Sequence, residues 1–134
     1  MSSAPSTLSP AVVRDRATWL AYVQVGLFGY FLYAFGPSIA LLRDDEGYTR
    51  TVASLHGTAM AAASVVVGFL GVHVVRRIGR GPFLRLGSAA LALGILVYTG
   101  FSPLGLTLVG AFVASAGGTA IMVGVNAFIP DHHG

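Results

Sequence analysis

The sequence has little charge and no cysteine. Of its 134 residues, only 10% are charged and 54% are hydrophobic, whereas a soluble domain carries about 25% charged residues. A chain so poor in charge cannot cover a water-exposed surface, which excludes an ordinary soluble domain. The absence of cysteine excludes disulfide bonds, thiolate metal sites and cysteine nucleophiles.

Lysine is absent too, so all 8 basic residues are arginines. They flank apolar runs and form no basic face along a helix, so the net charge of +3 indicates membrane flanks and no nucleic-acid partner. No nucleophile–base pair, glycine-rich phosphate loop or metal-ligand spacing is present. We therefore expect neither an enzyme nor a cofactor, and no metal, since the adjacent Asp131, His132 and His133 cannot easily all point at one ion.

The sequence does contain four long apolar runs, each near the ~20 residues that cross a hydrocarbon core of roughly 30 Å. It therefore predicts an all-α membrane protein built as a four-transmembrane-helix bundle. Residues 1–13 are rich in Ser, Pro and Ala and carry no charge, which predicts a disordered N-terminal tail before a transmembrane domain over residues 14–134. The predicted spans cover approximately residues 17–42, 51–75, 83–101 and 106–129.

The arginines predict the orientation of these spans, because Arg is retained in short cytoplasmic segments. With the N-terminus inside, the outer segments hold only Arg43 and Arg50, next to an acidic run at residues 44–46 that we expect in a solvated loop. Both termini are then cytoplasmic, and the predicted location is the plasma membrane. The inner arginines are Arg14, Arg16, Arg76, Arg77, Arg80 and Arg85.

Small residues recur along two spans and predict helix-packing seams, since close backbone approach is the usual route to helix association in lipid. In span two the spacing alternates between four and three residues, and in span four a glycine recurs every seven residues. The predicted seams consist of Gly57, Ala61, Ser64, Gly68 and Gly71 in span two, and Gly110, Gly117 and Gly124 in span four.

Polar side chains on spans one and four are the candidates for a substrate cavity. Tyr30 and Tyr33 share one face of span one, which is either a packing seam or the wall of a wet cavity. Ser115, Thr119 and Asn126 share a face of span four roughly opposite its glycine stripe.

His56, near the outer end of span two, is a possible proton relay. The alternative is an interfacial histidine that is held by water or lipid headgroups. No Asp, Glu, Lys or Arg lies deep within any predicted span, whereas proton- or ion-coupled pumps generally place an ionisable residue there.

The stretch from Arg76 to Arg80 resembles the cytoplasmic signature of the major facilitator superfamily of secondary transporters, G-x-L-A-D-R-x-G-R-R. Arg77-Ile78-Gly79-Arg80 matches R-x-G-R, while the acidic position of the signature falls on Arg76. The small-residue span two, the short turn after span three and the glycine-rich span four are similar to the N-terminal half of that family.

The resemblance implies that the chain is the N-terminal fragment of a transporter with two six-helix halves, which moves a small solute by alternating access around a central site. Its partners would be the bilayer, the solute and the remaining helices. The alternative is a self-contained four-helix assembly or accessory protein without transport activity, whose small-residue seams bind other helices.

Overall fold

The computed structural model describes residues 16–133, which form four α-helices. Each helix is long and apolar enough to cross a bilayer, which confirms the predicted all-α four-helix bundle of a multi-pass membrane protein. The predicted tail at residues 1–13 lies outside the described residues. The helices are α1 (Arg16–Glu46), α2 (Arg50–Ile78), α3 (Arg80–Gly100) and α4 (Leu104–His133).

The end of α1 lies beyond its apolar span. The acidic run at residues 44–46, which we expected in a loop, forms the last turn of the helix. Gly47 has a φ of +68°, and the Tyr48 N–H donates to the Arg43 carbonyl at 3.0 Å, which together make a Schellman ending. The helix therefore stops where a glycine can adopt the left-handed conformation, and not where the hydrophobic run stops.

The two short connections at this end of the bundle are tied to each other. Thr49 caps α2, since its hydroxyl accepts from the Val52 N–H at 3.2 Å. The Tyr48 hydroxyl donates to the Ser102 carbonyl at 3.2 Å, which joins the α1–α2 connection to the α3–α4 connection. Both connections thus lie at one end, as alternating spans require.

At the other end, the arginine end, Gly79 alone connects α2 and α3. Its φ of 83° and ψ of 164° lie in a region that is essentially restricted to glycine. Its N–H donates to the Val75 carbonyl at 2.9 Å, and its carbonyl accepts from the Phe83 N–H at 3.3 Å. The arginine-rich stretch from Arg76 to Arg80 therefore contains a one-residue turn between two helix ends.

The closest pair of helices is α3 and α4, which pack antiparallel through glycines. A Cβ at Gly94 would overlap the backbone of Ala114, and a Cβ at Gly110 would overlap the backbone of Tyr98. The two backbones are therefore in direct contact. Within the predicted span-four stripe, Gly110 and Gly117 face the backbone of α3, and Gly124 faces the Leu84 side chain.

The predicted seam of α2 lies only partly against other helices. Gly71 packs on Phe83 and Val123, and Ser64 is hydrogen-bonded to α4. Gly57, Ala61 and Gly68 are exposed, and an added Cβ at either glycine would meet nothing within 4 Å. The buried positions of α2 are instead Ala53, His56, Met60, Ala63 and Gly71.

The physical reason for this difference is the polar content of α2. His56 is buried and hydrogen-bonded to α4, and an unsatisfied buried imidazole would cost more than exposing a glycine. The rotation of α2 about its axis therefore follows its hydrogen-bonding groups more than its small residues.

We expect Gly94→Ala to destabilise the bundle by about 1–3 kcal/mol, because the added methyl group forces α3 and α4 apart. The measurement is the apparent Tm of the purified protein in detergent. The matched control is Gly68→Ala, where the methyl group meets open space and helix propensity favours alanine by up to about 1 kcal/mol. Equal effects of the two substitutions would contradict the backbone contact.

Gly79→Ala is expected to destabilise the α2–α3 turn by about 1–3 kcal/mol, because alanine is strained at its backbone angles. Gly81→Ala is the control, since Gly81 lies two residues further on, within α3, with nothing near an added Cβ. Thermal unfolding of the two variants should separate them, and an unchanged Tm for Gly79→Ala would show that the turn takes another conformation.

Candidate functional site

A cavity of about 560 Å³ lies between α1 and α3. Both helices contribute a row of side chains, and Ile121 of α4 lies among the lining residues. The lining contains no Asp, Glu, Arg, Lys or His. The residues are Gln24, Leu27, Tyr30, Phe31, Ala34, Phe35 and Ser38 of α1, and Ser88, Leu91, Ala92, Ile95, Tyr98 and Thr99 of α3.

One hydrogen bond crosses the cavity near the arginine end. The Gln24 Nε2 donates to the Ser88 Oγ at 2.8 Å, and the Ser88 hydroxyl donates to the Leu84 carbonyl of its own helix at 2.9 Å. Gln24 is the only amide side chain of α1, and this contact gives its amide nitrogen a partner inside an apolar environment.

A second hydrogen bond crosses the cavity toward the opposite end. The Ser38 hydroxyl donates to the Phe35 carbonyl at 2.8 Å, so its single proton is used. The Tyr98 hydroxyl, 3.0 Å from the Ser38 Oγ, is then the donor in their contact. The Tyr98 ring also packs on Phe35 with a centroid distance of 5.4 Å.

His56 lies behind Tyr98, with ring centroids 6.0 Å apart and planes at 79°. The histidine is fully buried. Its Nε2 lies 2.9 Å from the Thr107 Oγ1, and its Nδ1 lies 3.2 Å from the Ala53 carbonyl. The Thr107 hydroxyl also lies 3.0 Å from the Leu104 carbonyl.

The number of protons on His56 and Thr107 limits which of these three contacts can be hydrogen bonds at the same time. A carbonyl only accepts, so the Ala53 contact requires a proton on Nδ1, and neutral His56 then accepts at Nε2 from Thr107. The single Thr107 proton cannot at the same time serve the Leu104 carbonyl. Only the imidazolium form satisfies all three contacts, with Nε2 donating to Thr107 and Thr107 donating to Leu104. The proton-relay role of His56 stays a prediction.

A second polar chain links α2 to α4. The Ser115 hydroxyl donates to the Met60 carbonyl at 2.9 Å, so Ser64, 3.1 Å away, donates to Ser115. Thr119 donates to Ser64 at 3.1 Å. The three hydroxyls therefore form one directed chain that ends on a backbone carbonyl.

The structure places the five predicted cavity residues at different sites. Tyr30 lines the α1–α3 cavity, and Tyr33 lies outside it with 88% of its surface exposed. Ser115 and Thr119 belong to the α2–α4 hydrogen-bond chain, and Asn126 is exposed. Spans one and four therefore do not form a common polar cavity within the described residues.

Sequence reasoning missed the residues that close the cavity ends. These residues are Ser38 on α1 and Ser88 and Tyr98 on α3. Ser38 bonds to Tyr98 and Ser88 bonds to Gln24, and both pairings depend on how the two helices are aligned. A visible signal was the isolated polar residue within each apolar run, because such a residue needs a hydrogen-bond partner inside the membrane. Gln24 and Tyr98 both fit that signal.

Within the part of the chain that the structure describes, no group of three potential metal ligands is present. Every buried side-chain nitrogen and oxygen atom there has a hydrogen-bond partner. The arginines of the predicted signature, Arg76, Arg77 and Arg80, lie at the ends of α2 and α3 beside Gly79, away from the cavity lining.

We expect Thr107→Val to lower the free energy of unfolding by about 1–3 kcal/mol, because it leaves the buried His56 Nε2 without a partner. The apparent Tm in detergent measures the effect. Thr107→Ser keeps the hydroxyl and is the control, with a smaller loss. Similar losses for the two variants would show that the methyl group matters and not the hydrogen bond.

Comparison with known proteins identifies no relative of this chain. No protein-family model, curated protein or solved structure matches the chain. The resemblance to the major facilitator superfamily therefore stays a prediction from the signature and the pattern of spans. What the structure establishes is a four-helix membrane bundle with a cavity between α1 and α3.

Proposed function

We propose that the chain takes part in the transport of a small solute, as the N-terminal part of a secondary transporter of the major facilitator type. The observation that carries the proposal is the α1–α3 cavity. Its volume of about 560 Å³ lies within the roughly 300–1,000 Å³ of small-molecule sites, which are mostly apolar with a few placed polar groups. The cavity would form part of the solute path.

The exposed tyrosines of α1 support a larger assembly around this path. Tyr30 is 75% exposed and Tyr33 is 88% exposed, and both lie near the middle of a helix that runs from Arg16 to Glu46. A phenolic hydroxyl at that depth needs a polar partner or water. Such a face fits the wall of a passage that further helices complete.

In this proposal the arginine end of the bundle faces the cytoplasm of the cell, in its plasma membrane. Alternating access would come from rocking the bundle against a second half of the transporter.

One observation favours a second candidate, an assembly or accessory protein without transport activity. Gly57, Ala61 and Gly68 form a line of small exposed residues on α2, and such lines allow another helix to approach closely. The DNA that follows the codon for Gly134 discriminates between the two. Further apolar spans in frame support the transporter, whereas a stop codon beside a separate permease gene supports the accessory protein.

The transport proposal is tested in the cells that naturally produce the protein, by altering the gene that encodes it. Deletion of the gene should change the accumulation of at least one solute from a panel of labelled small molecules. Ala92→Phe places a ring in the cavity and should lower that transport rate by about tenfold or more, equivalent to ~1.4 kcal/mol of lost solute binding.

The control is Ala62→Phe, at an exposed position of α2 that does not line the cavity, and it should transport as the wild type does. Immunoblots of the membrane fraction verify equal amounts of each variant. The proposal would be contradicted if the deletion changed the accumulation of no solute in the panel, or if the Ala92→Phe strain transported at the normal rate.

A further inference from the structure

We infer that the α1–α3 cavity binds an uncharged solute with an apolar body and one polar group directed at the Tyr30 hydroxyl. The inference rests on the proposed function, because it names the solute class of the same cavity. Its first support is the lack of any charged side chain or histidine in the lining. A charged solute would lose its hydration there without gaining a counter-charge.

The two hydrogen bonds that cross the cavity limit the shape of the occupant. Gln24 bonds to Ser88, and Ser38 bonds to Tyr98, at positions about 21 Å apart along α1 for a rise of ~1.5 Å per residue. A helix could enter between α1 and α3 only by breaking both bonds. A small molecule fits between them and leaves both intact.

The hydroxyl of Tyr30 distinguishes a solute from a lipid chain. It has no hydrogen-bond partner among the described residues. Tyr30 lines the cavity about midway along α1 between Gln24 and Ser38, at a depth where an acyl chain offers no polar atom. A solute with a donor or acceptor at this depth would satisfy it. The other polar lining residues, Gln24, Ser38, Ser88, Tyr98 and Thr99, are all hydrogen-bonded within the bundle.

The aromatic lining indicates the form of the apolar body. Phe31, Phe35 and Tyr98 form a continuous series, with centroid distances of 5.7 Å and 5.4 Å between neighbours. Aromatic rings associate through offset or edge contacts at such distances. A planar ring system is therefore the body that this lining suits best.

Three matched probes test the inference by equilibrium binding to the protein in lipid nanodiscs, with empty nanodiscs as the background. 1-Naphthol is uncharged with one hydroxyl, naphthalene has no polar group, and 1-naphthalenesulfonate is charged. We expect saturable binding of 1-naphthol, about three- to tenfold weaker binding of naphthalene, which lacks one hydrogen bond, and no saturable binding of the sulfonate.

Two pairs of variants locate the site. Tyr30→Phe should weaken 1-naphthol binding by about three- to tenfold and leave naphthalene unchanged. Tyr33→Phe is its control, since Tyr33 is exposed on the same helix outside the cavity. Ala34→Phe fills the cavity and should abolish saturable binding of both probes, while Ala62→Phe should not.

The inference is overturned if naphthalene binds as tightly as 1-naphthol and Tyr30→Phe has no effect, which is the behaviour of a site for lipid chains. Preferential binding of the sulfonate, or no saturable binding of any probe, overturns it too. Because binding is measured without transport, its failure is distinct from that of the transport proposal. A protein that binds 1-naphthol but transports nothing would keep the inference and lose the proposed function.

Discussion

The direct backbone contact between α3 and α4 is the constraint on which the rest of the bundle depends. Gly94 and Gly110 allow it, because a Cβ at either position would overlap the facing backbone. Hydrocarbon solvates an apolar helix as well as a protein interior does, so this contact must come from van der Waals packing at close range. It fixes α4 against α3 and so determines which faces of α4 remain for the other helices.

The remaining faces of α4 bind α2 and α1 by different chemistry. Toward α2 the contact is polar, from His56–Thr107 to the chain that ends at Ser115 and the Met60 carbonyl. Toward α1 it is aromatic, since an added Cβ at Gly118 would overlap the Phe28 ring. In lipid, no water is available to hydrogen-bond polar groups that are buried in this way. The hydrogen bonds therefore orient α2 as strongly as any packing surface does.

The number of helices and their approximate positions could be predicted from the sequence, because long apolar runs determine both. The sequence was also sufficient for the span-four glycine stripe, whose members Gly110 and Gly117 face α3. It was insufficient for helix ends, where Gly47 and Thr49 act through local backbone geometry.

The candidate site was harder to predict than the fold. Tyr30 lines the cavity, whereas Tyr33, three residues along the same helix, points elsewhere. The face of a single helix can be read from its sequence, but the partner of that face depends on rotation and alignment between helices. Ser38 and Tyr98 are separated by 60 positions in the chain, and no periodicity within either span connects them.

α1 has fewer contacts with the rest of the bundle than the other helices have, and this weaker attachment has the same cause as the cavity. Where α3 and α4 have facing glycines, α1 presents buried phenylalanines. Phe28 packs on Gly118 of α4, and the rings of Phe31 and Phe35 line the space toward α3 and keep the α1 backbone away from it. Space remains between the two helices, and the described contacts that bridge it are the hydrogen bonds of Gln24 and Ser38 and the ring contact of Phe35 with Tyr98. A helix held in this way can shift with the loss of a few contacts, whereas separating α3 from α4 would open a backbone interface. If the bundle transports a solute, α1 is therefore the wall that can move, and α3 and α4 are the frame against which it moves.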